Sequence, residues 1–138
     1  MNTTEQERIL IVDTNPLFLE RVAQELRARD FDVVVAESGV RAFHILRDWT
    51  RPVDWLFSRA TLPGLIDGWI LADEYHDSHP DRAAVIAASQ AKVCAQGHIV
   101  LQDPSPAAVL DTMQCIMAQN QAPEIANNTE GNEERLAA

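Results

Sequence analysis

The chain has 138 residues, 46% of them hydrophobic, and its 21 Asp+Glu against 11 Lys+Arg give a formal charge of -10. That length suits one domain with a single core, and that hydrophobic content excludes wholesale disorder. So acidic a chain repels nucleic-acid phosphates and anionic lipid headgroups, which argues against a DNA-binding module and leaves proteins as the expected partners.

The start, MNTTEQER, is polar and is not the pattern of a signal peptide. No apolar run approaches the roughly 20 residues that span a bilayer, so a soluble, cytoplasmic protein is expected. Cys94 and Cys115 stand apart in apolar surroundings, with no CxxC or Cys/His cluster. They read as reduced structural thiols, not as a disulfide or a metal pair.

Residues 8–12, RILIV, form a short β-branched run ending in Asp13, the mark of a strand buried on both faces. Asn15-Pro16 then reads as a helix N-cap and first turn. Leu19, Val22, Ala23 and Leu26 follow at helical spacing, and this helix is expected to end near Asp30. Val33, Val34 and Val35 make a second strand. Ser38 caps a helix over 39–48 with Ala42, Phe43 and Leu46 on its apolar stripe. Residues 53–58, VDWLFS, are a third strand, and Pro63-Gly64 is a turn. Asp67-Gly68 opens a third helix carrying Trp69, Leu71, Ala72 and Tyr75, which stops before Pro80. Strands are expected at 83–88 and 98–102, and a last helix from Pro106 with Val109, Thr112, Met113, Ile116 and Met117 on its buried side. Strands alternating with helices mean βαβ units and a parallel sheet covered on both faces. The folded domain is expected over 7–119, and the polar, aperiodic segment 120–138 reads as a flexible acidic tail.

In order and punctuation these elements resemble a receiver domain of the two-component response-regulator family. ILIVDTNPLFLERVAQEL looks like its first strand, acidic loop and first helix, and VVVAESGVRAFHIL like its second strand and helix. DWLFSRATLPGLIDGW resembles the phosphorylation strand and loop, AVIAAS the fourth strand ending in a switch hydroxyl, and IVLQDPSP the fifth strand with its usually cis prolyl bond, here at Pro104. The resemblance implies an α/β, flavodoxin-like, doubly wound sheet of five parallel strands in the order 2-1-3-4-5. It also implies a role in bacterial phosphorelay signalling, with a histidine kinase, another receiver or a regulatory protein as partner. Self-association stays open.

The family's chemistry needs two carboxylates after the first strand to help hold Mg²⁺, a hard cation that takes oxygen ligands. Here they are Asp13 and Thr14. The nucleophilic aspartate ends the third strand, four residues before the turn proline, and counting back from Pro63 gives Arg59. A guanidinium stays protonated and has no lone pair with which to attack phosphorus or ligate Mg²⁺. The usual lysine before the fifth-strand proline is Asp103, and the aromatic switch position three residues earlier is Val100. Of the usual set Asp13 and Ser89 remain. The expectation is a pseudo-receiver that is not an enzyme, holds no metal or cofactor, and signals by binding.

The charges of the third-strand and fifth-strand positions are exchanged relative to the family. That places Arg59 between Asp13 and Asp103 in charge-assisted hydrogen bonds, an internal cation standing in for Mg²⁺. The competing reading is that Arg59 points to solvent and the changes are unrelated. A phospho-accepting receiver using a displaced carboxylate, Asp54 or Asp67, is the first alternative, although Asp67 also suits the cap of the third helix. A nucleotide- or flavin-binding enzyme of the same topology is the second. The loop DTNPLF has no glycine to cradle a phosphate, which counts against it.

SQAKVCAQGHIVLQ is too short for a loop, a full fourth helix and a strand, because Gln90 to Gln96 give at most about two helical turns. The fourth helix is therefore expected to be shortened or missing. Val93, Ile99, Val100 and Met117 would then border an exposed apolar face for a partner, or a loop would cover them. Trp69 is read as core or as a partner anchor. Ser89 is read as a vestigial hydroxyl or a residual switch. His76 and His79 read as a solvated helix end, while His44 and His98 belong to no metal-like grouping.

Overall fold

The computed structural model describes residues 6–89 and 98–121. The elements run β1 (Arg8–Val12), α1 (Pro16–Arg27), β2 (Asp32–Ala36), α2 (Gly39–Leu46), β3 (Trp55–Arg59), α3 (Gly68–Ser78), β4 (Ala84–Ala88), β5 (His98–Gln102) and α4 (Pro106–Gln121). All five strands are parallel, in the order β2-β1-β3-β4-β5. The direction of winding reverses between β1 and β3, so loops from both halves meet at the carboxyl ends of those strands.

Strand alternation builds two apolar layers. Ile9, Ile11, Trp55, Phe57, Val85 and Ala87 pack with Leu19, Val22 and Leu26 of α1 and Val109 and Met113 of α4. Leu10, Val12, Leu56 and Ile86 pack on the other face with Ala42 and Leu46 of α2 and Leu71, Ala72 and Tyr75 of α3. Neighbouring residues thus serve opposite layers, and for that reason the strands read as unbroken apolar runs. Each Leu, Ile or Val buried in this way contributes roughly 1.5–3 kcal/mol against the entropy of ordering the chain.

The caps are local chemistry. Asn15 Oδ1 accepts from the N–H groups of Leu17 and Phe18, Ser38 Oγ from that of Arg41, and Asp67 Oδ1 from that of Ile70. Two helices stop earlier than their patterns predict. α1 ends at Arg27, after which Asp30 turns left-handed with φ 69°. α2 ends at Leu46, where Asp48 Oδ1 takes both the N–H and the hydroxyl of Thr50 and starts a side-chain turn. The third strand lies later than the expected 53–58, so that Arg59 is its last residue and pairs with Ala87 of β4.

Four helices lie among the described residues. The segment 90–97, expected to hold a shortened fourth helix, falls outside them, as do 122–138, most of the segment read as a tail. No helix among the described residues is long and apolar enough to cross a membrane. Cys115 is a free thiol, exposed on α4 where an apolar setting was expected, and Cys94 is outside the described residues.

Candidate functional site

The site lies at the carboxyl end of the sheet. Asp13 directly follows β1, its N–H donating to the Ala36 carbonyl at 3.2 Å, and its side chain is fully buried. Asp13 Oδ1 accepts from the Asn15 N–H at 3.0 Å and from Arg59 Nε at 3.0 Å. Arg59 Nη2 lies 3.0 Å from Asp13 Oδ2. This second leg is a charge contact without hydrogen-bond geometry, leaving Oδ2 with no donor of its own among the described residues. The guanidinium meets the carboxylate at two points, with 28% of the Arg59 side chain exposed. An anion with no access to water is held by one cation and one amide.

Arg59 is fixed from behind as well. The Ser58 hydroxyl, itself buried, donates to the Arg59 carbonyl at 2.9 Å. The N–H of Ala60 donates to Ala87 at 2.8 Å, and the N–H of Gly68 to Ala60 at 3.0 Å. A Cβ on Gly68 would lie 2.3 Å from the Arg59 carbonyl oxygen, so the first residue of α3 has to be glycine for the loop to close on the strand. Gly39 plays the same part for the middle of that loop, where a Cβ would fall 1.8 Å from the Ile66 carbonyl oxygen.

The expected bridge from Arg59 to Asp103 is not formed: among the described residues no ion pair joins them. Asp103 leaves β5 in a left-handed turn, φ 41°, with its N–H on the Ala88 carbonyl at 2.9 Å, and it is exposed. An exposed carboxylate keeps its hydration, whereas the buried Asp13 draws the guanidinium fork. No peptide bond among the described residues is cis, so Pro104 does not carry the expected cis bond. Thr14 and Ser89 are both exposed, and the Ser89 carbonyl accepts from Gln102 Nε2 at 3.3 Å.

The two alternative carboxylates sit apart from this constellation. Asp54 precedes β3 at the opposite end of the strand from Arg59, about 17 Å away at the rise of a strand. There it takes the Arg8 N–H at 2.8 Å, and Arg82 lies 3.8 Å away. Asp67 caps α3.

The expected apolar partner face does not assemble as one patch. Ile99 packs against the α1/α4 layer and Val100 against the α2/α3 layer, because neighbouring strand residues point to opposite sides. Met117 is core, only 5% exposed. Trp69 is half-buried against the α2/α3 layer, and Val93 is outside the described residues. His76 and His79 are half-buried, not solvated. Sequence reasoning missed Leu65, 92% exposed just after the Pro-Gly turn, and Leu17, 76% exposed in the first turn of α1. An apolar residue in a loop was the available signal for Leu65, whereas Leu17 falls inside the first helix.

Mg²⁺ does not fit this donor set. Asp13 is buried and already neutralised by a guanidinium, and among the described residues no group of three His, Cys, Asp or Glu side chains could hold a metal ion.

No protein-family model matches the chain, and no curated protein matches it in sequence. Solved structures do. A response regulator receiver protein from Sinorhizobium medicae WSM419 superposes with a TM-score of 0.72 at 21% identity, over 83% of this chain and 97% of that one. The signal receiver domain of an HD domain-containing protein from Pseudomonas fluorescens Pf-5 gives 0.69 at 21% identity, over 86% and 99%. The receiver domain of the hybrid histidine kinase CckA gives 0.66 at 23% identity, over 80% and 98%. The chain has the receiver fold.

Proposed function

We propose that this chain is a receiver-fold signalling protein that acts by binding another protein and takes no phosphoryl group at the end of β3. The single observation that carries the reading is the two-point contact of Arg59 with the buried Asp13. It puts a cation where a nucleophile would have to stand, and it occupies the carboxylate a metal would need. Of the two carboxylates that could replace that nucleophile, Asp67 is engaged as a cap and Asp54 belongs to the other end of the strand. The role is therefore not enzymatic. The partner is a protein of bacterial phosphorelay signalling, such as a histidine kinase, another receiver or a regulatory protein, and the setting is the cytoplasm. The folded unit corresponds to 7–119.

The test is a titration of the ¹⁵N-labelled chain with Mg²⁺ and fluoroberyllate, a tetrahedral mimic of a phosphoryl group. The amide signals of Asp13, Thr14, Arg59, Ser89 and Asp103 stay in place if the reading holds. Saturable shifts clustered on those residues overturn it.

A further inference from the structure

His76 of α3 and His98, the first residue of β5, lie ring on ring, their centroids 4.7 Å apart and their planes within 8°. Trp69 adds a tilted contact to the same His98 ring at 6.1 Å. Among the described residues the strand they hold is the edge of the sheet, laddered to β4. His76 Nε2 is 2.7 Å from the Arg82 carbonyl oxygen, so in the neutral ring this nitrogen carries the proton and donates. His98 Nδ1 is buried with no partner among the described residues. A proton placed there becomes a buried N–H with no acceptor among the described residues, on a charged ring beside a second imidazole.

We infer that the His76–His98 stack is an acid-sensitive clasp, holding edge strand β5 to α3 while the His98 ring is neutral and releasing it when that ring takes up a proton.

The groups around the stack support that direction. On α3, Asp73 favours a charged His98, Tyr75 meets His76 edge-tilted at 5.7 Å, and His79 stacks on Tyr75 at 5.0 Å. From the turn before β4, Arg82 gives its carbonyl to His76 and its guanidinium to Trp55 and Asp54. From β4 the register neighbour of His98 is the uncharged Ala84. Burial, and then the charge of His76, hold the His98 ring below the ordinary histidine value of 6.5, with Asp73 opposing. A depressed value in the closed form means that the clasp holds fully above about pH 6.5 and weakens as pH falls below it, where the open form takes up the proton.

The experiment is amide hydrogen exchange on the intact chain at about pH 7.5 and 5.5, corrected for intrinsic exchange, in the wild type and in His98→Phe. Protection of Ile99, Val100 and Leu101 in the wild type should fall by up to about tenfold at the lower pH, one unit below the open-state value of the ring. The phenyl ring keeps the stack and removes the proton, so His98→Phe should show no such fall. Equal protection at both values in the wild type, or the same fall in the variant, overturns the clasp. Should His98→Phe not fold, the ring protons of His76 and His98 in the wild type decide. A value for His98 below the ordinary 6.5 supports the stack. An ordinary value for His98 refutes it.

Discussion

Arg59 Nε stands 3.0 Å from Asp13 Oδ1, inside a carboxylate to which solvent has no access. The pair joins the ends of β1 and β3 across the point where the winding of the sheet reverses, the place where folds of this kind present their chemistry. Removing one partner of a buried ion pair costs about 3–5 kcal/mol. Since a quarter of the Arg59 side chain reaches water, Arg59→Ala should lose about 2–3 kcal/mol in urea unfolding. Arg59→Lys should recover only part of it, because an ammonium cannot meet both oxygens in a planar fork. Equal stability of Arg59→Ala and wild type would remove the pair from the account.

The glycine that opens α3 sets a second expectation. Its hydrogen lies where any Cβ would strike the Arg59 carbonyl oxygen at 2.3 Å. Gly68→Ala should therefore cost about 1–3 kcal/mol despite alanine's better helix propensity, because backbone has to move to admit the methyl. A stabilised Gly68→Ala in thermal unfolding would show that the loop does not close as tightly as described.

Mg²⁺ gives a third. Wild-type thermal stability should not change when Mg²⁺ is raised to about 10 mM, since an ion that does not bind the native state cannot stabilise it. Arg59→Asp exchanges the cation for a carboxylate beside Asp13 and should gain Mg²⁺-dependent stability at the same concentration.

The fourth concerns acid. His79 is held below the ordinary 6.5, first by burial and then by the Arg82 charge, with Asp54 opposing. A histidine depressed in the native state leaves stability intact above its unfolded value and removes it as pH falls below 6.5. Urea midpoints should decline on acidification through that value, and His79→Gln should flatten part of the decline. A midpoint rising with acid would reverse the sign of the account.

How much of this was legible beforehand follows from the range over which each feature is determined. RILIV, Asn15-Pro16, Ser38 and Asp67-Gly68 announce their strand and caps within a few residues, and the elements they begin are where the sequence puts them. The fifth strand at 98–102 is likewise a local apolar run. Helix ends were less legible: the Thr50 contacts to Asp48 and the left-handed Asp30 depend on which of several turns wins. At the site, spacing from Pro63 was enough to put Arg59 at the end of β3. The bond to Asp103 was inferred from charge alone, and the turn after β5 leaves that carboxylate in water. The His76–His98 stack, between residues 22 apart in the chain, had no local signature at all.

The most direct test is intact-mass spectrometry after incubation with Mg²⁺ and acetyl phosphate, with wild type and Arg59→Asp side by side. The account predicts an unmodified wild type, and a hydroxylamine-labile phosphoryl adduct on the variant at residue 59. A hydroxylamine-labile adduct on the wild type, mapped to Asp54, Asp67 or Asp13, would contradict it, because a carboxylate of this chain would then be accepting the phosphoryl group after all.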